Sequence, residues 1–291
     1  MRALMQERQL LISSLIEHAA TYHPDTEIVS RTCEGTTVRS TYRGIRSRAK
    51  QLAKALIAMG VKPGDRVGTL AWNTHRHMEL YFAVSGIGAV LHTVNPRLFP
   101  EQIEYIVNHA EDKVLFFDIT FAGLIGKLRP HLGTVERFIA MTDKEHPPAE
   151  AGDCAAYEDV IAVQDDNFDW PQFPETEASS LCYTSGTTGD PKGVVYHHRG
   201  ANLLATSNIL TGQMGRHPVY LWTLPMFHCN GWCFPWSISL VAGTHVCLRQ
   251  VRAKAMYDAL ADHGVTHLCG APIVMSALLN APAEERRDFP Q

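Results

Sequence analysis

No stretch of the 291-residue sequence approaches the ~20 consecutive apolar residues of a membrane-spanning helix. The opening Met-Arg-Ala-Leu-Met-Gln-Glu-Arg-Gln is interrupted by charge too early for the apolar core of a secretory signal peptide. Charge of one sign is also lacking: 26 Lys and Arg stand against 30 Asp and Glu, a net charge of -4. That balance excludes a generalised nucleic-acid or acidic-membrane binder, so any affinity for a polyanion must come from a local site. The seven cysteines are scattered and odd in number, which argues against a disulfide framework and for reduced thiols in a cytoplasm-like compartment. Only Cys229 and Cys233 lie close together, beside His228, and the second ligand cluster of a structural zinc site is missing. The expectation is therefore no metal site, with a metal-dependent reading of His228, Cys229 and Cys233 as the competing alternative. Internal repeats, low-complexity tracts and the Walker pattern G-x-x-x-x-G-K-[ST] are absent as well.

What is present is a soluble globular composition, 45% hydrophobic and 19% charged, long enough for one large domain or two ordinary ones. Short apolar runs alternate with amphipathic stretches through the first half, with strands expected near 67–71, 89–93, 114–118 and 137–141. The intervening helices are expected near 77–87, 100–109 and 121–131. This alternation reads as a parallel α/β fold. Residues 41–59 predict a helix with Ile45, Ala49, Leu52, Leu56 and Ile57 on one face and a basic stripe of Arg43, Arg46, Arg48, Lys50 and Lys54, expected to be solvated. The proline-bearing, acidic segment 146–178 reads as a surface connector tacked down by Trp170. The division expected is thus a first α/β subdomain over 1–145, the connector, and a second α/β subdomain over 179–291.

The densest chemical signal is Tyr183-Thr184-Ser185-Gly186-Thr187-Thr188-Gly189-Asp190-Pro191-Lys192-Gly193. Hydroxyls and glycine amides supply short donors at low steric cost, and Lys192 adds a mobile positive charge, which suits a loop that wraps a polyphosphate. The same residue types also make an ordinary surface turn. The flanks predict strands on either side, a hairpin with the loop at its tip. His197 and His198 follow at a strand-to-helix junction; being adjacent they point different ways, and they read as structural rather than as proton-transfer groups.

A second stretch, Leu221 to Trp236, holds three tryptophans, two phenylalanines and His228 within sixteen positions. It reads either as a packed core strand and helix start or as an apolar pocket with His228 as its polar group.

The ordered combination T-S-G-T-T-G-x-P-K-G resembles the phosphate-binding signature of the adenylate-forming superfamily, which includes acyl-CoA synthetases. P-x-F-H-x-x-G-W at 225–232 resembles that family's acyl-site motif. The pieces G-D-R-V, Asn73, Glu79-Leu80, N-P-R-L and E-x-I-x-Y-I occur in the family's order, so the resemblance covers nearly the whole chain. It implies the N-terminal region of the family's large domain: mostly parallel sheets flanked by helices, with the small C-terminal domain absent. It further implies ATP, Mg²⁺ and coenzyme A as co-substrates, and a carboxylic acid, of short to medium chain on the wording of 221–234, as the group activated. Thr184, Ser185, Gly186, Thr187, Thr188, Gly189 and Lys192 are expected to cradle phosphates, and His228 to lie by the reacting carboxylate. Trp232, Phe234 and Trp236 are expected along the acyl pocket. The family's Y-G-x-T-E motif, ribose aspartate, hinge and catalytic lysine have no counterpart here. The expectation is accordingly a truncated and impaired acid–thiol ligase, or else a non-catalytic remnant partnering a full-length ligase or itself through exposed sheet edges.

Overall fold

A computed structural model describes residues 1, 3–184 and 189–290. Helix Ser13–Tyr22 (α1) leads into a hairpin of Glu27–Arg31 (β1) and Thr37–Thr41 (β2), followed by helix Tyr42–Ala58 (α2). Thr41 ends the strand and caps the helix, its hydroxyl accepting from the Gly44 amide at 3.3 Å. Ile45, Ala49, Leu52 and Leu56 are buried, as their spacing predicts. Ile57, expected on the same face, is exposed because it follows Leu56 by one position and is turned about 100° from it. The basic face of this helix is not a free patch. Arg43 pairs with Asp25, Arg46 and Lys50 with Glu17, Arg48 with Glu79 and Glu158, and Lys54 with Asp165.

The chain then alternates strand and helix: Arg66–Leu70 (β3), His75–Gly86 (α3), Val90–Thr93 (β4), Pro100–Ala110 (α4), Asp112–Phe117 (β5), Ala122–Leu128 (α5) and Arg137–Ala140 (β6). Every residue of α3 is buried, which makes it the central helix of the molecule. The segment expected as a surface connector contains more structure than its composition suggests. Ala155–Ala156 (β7) pairs with β6, and Tyr157–Ala162 (α6) buries Tyr157, whose hydroxyl donates to Glu79 at 2.6 Å. Trp170 does tack the segment down. Its indole donates to Glu17 at 2.9 Å and lies so close to Gly86 that a Cβ there would come within 2.4 Å of the ring.

The remaining elements are Ala178–Tyr183 (β8), Gly193–His197 (β9), His198–Thr211 (α7), Val219–Trp222 (β10), Phe234–Leu240 (α8), Thr244–Cys247 (β11), Ala253–His263 (α9), His267–Leu268 (β12) and Pro272–Leu279 (α10). They complete two sheets, of order β7-β6-β5-β3-β4-β8-β9 and β12-β10-β11-β1-β2. Pairing is parallel except within the hairpins β1–β2 and β8–β9. The pairing runs across the expected boundaries at 145 and 179: β8 joins the first sheet through β4, while β1, near the N-terminus, pairs with β11. No helix among the described residues is long and apolar enough to cross a membrane.

Candidate functional site

The hairpin anticipated around the Gly- and Thr-rich loop is present. β8 and β9 are antiparallel, and its neck is closed by Thr184 and Lys192. The Thr184 amide donates to the Lys192 carbonyl at 3.0 Å, and the Lys192 amide donates to the Thr184 hydroxyl at 3.1 Å. Gly189 is exposed, with nothing within 4 Å of the place a Cβ would occupy. Ser185, Gly186, Thr187 and Thr188 lie outside the described residues. Beyond β9 the two histidines diverge as adjacency requires. His197 caps α7 by accepting from the Gly200 amide at 2.8 Å, and buried His198 faces the Ile12 amide at 3.2 Å.

The second stretch leaves β10 and is braced from several sides. The Asn73 amide donates to the carbonyls of Trp222 and Leu224, both at 3.0 Å, and its oxygen accepts from the Met226 amide at 2.7 Å. Tyr81 donates to the Met226 carbonyl at 2.5 Å. The chain then turns through five consecutive residues of positive φ: Cys229 (47°), Asn230 (41°), Gly231 (53°), Trp232 (51°) and Cys233 (62°). Four of these are not glycine, and each costs roughly 1–2 kcal/mol in this left-handed region. Such a turn persists only where its surroundings over-determine it. Buried Asn230 does much of this by donating to the Thr93 hydroxyl at 3.1 Å and the Leu181 carbonyl at 3.2 Å, and Asn208 holds the Trp232 carbonyl at 2.7 Å. Leu181 belongs to β8, so the aromatic stretch is tied directly to the strand that carries the loop.

The turn sets His228, Trp232 and Phe234 around a cavity of 610 Å³ that Leu224, Met214 and Cys269 also line. Trp232 is 58% exposed, a large apolar surface left open to it. Phe234 stacks on Tyr220, with centroids 5.0 Å apart. Trp236 does not join them. It is fully buried against Tyr81, centroids 5.4 Å apart, and belongs to the core. The reason is helical geometry: two positions along α8 rotate a side chain by about 200°, away from the face that Phe234 presents. The His228 imidazole is held below its ordinary pKa by partial burial and then by the positive charge of Arg97, which favours the neutral ring.

A second cavity, of 290 Å³, lies on the other side of the same segment. Thr223, Pro225 and Phe227 line it, whereas Leu224 and His228 line the first. Its further walls are Trp72, Arg97, Arg249 and Arg252. The Arg249 guanidinium sits 4.7 Å over Trp72, and that of Arg97 sits 5.6 Å over Phe227. None of these three arginines is paired with a carboxylate among the described residues. Arg97 belongs to the N-P-R-L piece; Arg249 carries no motif signal and is visible only once β11 is placed. Cys229 Sγ lies 3.7 Å from His228 Nδ1, but no group of three or more His, Cys, Asp or Glu among the described residues is arranged to hold a metal ion.

Residues 16–291 match the model of the AMP-binding enzyme family. The chain belongs to that family. It is 43% identical over 280 residues to 3-methylmercaptopropionyl-CoA ligase of Ruegeria lacuscaerulensis, covering 94% of this chain and 52% of that one. It is 44% identical over 283 residues to medium-chain-fatty-acid–CoA ligase of Ectopseudomonas oleovorans, covering 96% and 52%. This AMP-binding chain thus spans about half the length of the relatives it matches and corresponds to their N-terminal part. Among solved structures, the inhibitor-bound N-terminal domain of FACL13 from Mycobacterium tuberculosis superposes with a TM-score of 0.80 over 97% of this chain and 68% of that chain. At 24% identity, that likeness concerns the fold.

Proposed function

We propose that this chain carries the phosphate-handling loop and the acid-binding cleft of an AMP-forming acid–thiol ligase. In that reaction a carboxylate oxygen attacks the α-phosphorus of ATP and pyrophosphate leaves; the thiol of coenzyme A then displaces AMP from the acyl-adenylate. The observation that supports this most is Asn230, which joins the His228 turn to the Leu181 carbonyl on β8, the strand that leads into the loop's neck. One side chain thereby fixes the distance between an apolar cleft and a polyphosphate loop.

The first step asks for charge neutralisation on phosphate rather than for a protein nucleophile. Lys192 and the Thr184 hydroxyl stand at the loop's neck for that purpose, with Ser185, Gly186, Thr187, Thr188 and Gly189 supplying further donors. The magnesium ion neutralises phosphate charge when bound. The Thr184 hydroxyl at the loop's neck is the protein oxygen that would hold such an ion. Neutral His228 at the mouth of the 610 Å³ cavity orients the acid, while Trp232 and Phe234 pack along an alkyl chain of short to medium length. The arginine-lined cavity across the 223–228 segment suits the phosphates of the second substrate. All seven cysteines are free, which suits a reducing compartment such as the cytoplasm.

Titration calorimetry with Mg·ATP tests this reading. Lys192→Ala is expected to weaken binding by about tenfold or more, the value of a charge-assisted contact. Equal affinity in the two proteins would remove the phosphate role from Lys192.

A further inference from the structure

The neck of the loop begins one residue after Tyr183, and the outer strand of the hairpin adds little side-chain burial to the backbone pairing that sets its register. β9 is an edge strand with the burial pattern of an uncovered one, and Val194 and Val195 are both exposed although they point to opposite faces. The β8–β9 pairing is also irregular between Ala178 and Ser180. Tyr183 supplies what the ladder lacks. Its cross-strand partner is Gly193, where an added Cβ would stand 3.4 Å from the phenol carbon Cζ, so the ring lies over a residue that leaves it room.

On the sheet, the Tyr183 ring lies over the imidazole of His92, centroids 5.2 Å apart and tilted by 51°. His92 is itself fixed. Its Nδ1 is 2.7 Å from Asp112 Oδ2, and both side chains are completely buried. This pair spans β3, and it can do so because the β3 residue in register with His92 is Gly68. A Cβ there would come within 2.7 Å of the Asp112 carboxylate. The remaining atoms, His92 Nε2 and Asp112 Oδ1, are buried without a partner among the described residues. A buried pair left half-satisfied is a poor device for stability.

At its far end the Tyr183 hydroxyl reaches His109 Nδ1, in the last turn of α4, at 2.7 Å, with the rings edge to face and 5.8 Å apart. Tyr105 stacks on His109, centroids 5.3 Å apart. Burial, then the Asp112 charge and Tyr105, push the phenol up to about 12, so it stays protonated and can donate to Nδ1 or accept from it according to the imidazole tautomer.

We propose that Tyr183 is a positioning residue that pins the neck of the phosphate loop, through His92–Asp112 below and His109 beside it, so that Thr184 and Lys192 meet the nucleotide in a single register. This rests on the phosphate-binding reading of the loop.

Hydrogen exchange of the full chain, followed on peptides that contain Thr184 and Lys192 to Val195, tests the pin without requiring catalysis. Tyr183→Phe and His109→Ala are each expected to speed exchange there by about 2- to 10-fold, the value of one net hydrogen bond. The double variant should be no worse than either single one, because both remove the same bond. His109→Gln, whose amide oxygen can accept from the phenol, should restore protection, a rescue that a merely space-filling role would not give. Mg·ATP affinity should follow the same order. Should Tyr183→Phe fail to fold, His109→Ala carries the test, since that side chain is exposed. Unchanged exchange in the single variants, or additive effects in the double, overturns the pin. If Lys192→Ala weakens nucleotide binding while Tyr183→Phe does not, only the pin falls. If Lys192→Ala leaves binding unchanged, the loop reading falls and presentation to nucleotide falls with it.

Discussion

The stretch 222–233 and the hairpin 183–193 carry the two motifs, and the protein holds them by opposite means. The former is braced from outside by Asn73, Tyr81 and Asn208, which reach its backbone, and by its own Asn230, which ties it to the Leu181 carbonyl. The hairpin is closed by two bonds at its neck and one phenol contact, on a strand that has solvent along its outer edge. A left-handed turn needs rigid support because it stores torsional energy. A loop with the polyphosphate role proposed above gains from yielding. The aromatic stretch is therefore preorganised, and the hairpin is tethered.

Acid offers the largest test of this contrast. Burial lowers His77 from 6.5 to about 4 and His245 from 6.5 to about 3. Both support the braced region: His77 contacts the Trp72 carbonyl at 3.0 Å, and His245 the Trp222 indole at 3.0 Å. Their folded pKa values lie below the unfolded one, so the unfolded chain takes up protons first as pH falls. The stability they contribute is complete above pH 6.5 and drains away toward pH 4, by about 1.4 kcal/mol per pH unit for each ring at full slope. Glu158 extends the loss lower. Burial alone would raise its carboxyl, but the guanidiniums of Arg48 and Arg76 outweigh burial and the net shift is downward. Its contribution is thus lost as pH falls below its ordinary 4.5. Urea midpoints measured from pH 8 to pH 4 should fall steadily from pH 6.5; a flat profile contradicts the assignment of buried neutral histidines.

A smaller effect is expected from Asn73→Ala, which leaves two carbonyls and one amide of the 222–226 segment without their partner. About 2–4 kcal/mol of stability should be lost, read from the urea midpoint, and widened exchange at 228–233 should accompany it. The smallest belongs to the hairpin. Thr184→Ala removes one exposed bond and should cost under about 1 kcal/mol in the same assay. If it costs as much as Asn73→Ala, the two regions are not held differently.

Much of the secondary structure was legible in the sequence because apolar spacing reports it directly, as in α2 and in the hairpin of the loop. Which sheet a strand joins was not legible, since a parallel strand carries no mark of its neighbour; β8 and β1 both cross the division that the segment lengths suggested. The basic face of α2 read as solvated because its carboxylate partners, Glu17, Glu79, Glu158 and Asp165 among them, are far away in sequence. Tyr157 was hidden in an acidic, proline-bearing segment whose composition outweighed one buried ring. In the candidate site, His228, Trp232 and Phe234 come together as the motif implied. Trp236 could have been separated from them by helical period alone. Asn73 stood in the motif order without a role, because its work is done on backbone about 150 positions away.

The pairing of β1 with β11 also bears on how the chain comes off the ribosome. Ile28 has a parallel neighbour only when His245 has emerged, and at about 5–20 residues per second β1 and β2 wait for on the order of ten seconds or more. Until then the hairpin is a two-stranded ribbon, which is marginal in water. The sheet of β1 and β11 thus closes only after β11 has been made, and the N-terminal hairpin stays dependent on sequence far downstream of it.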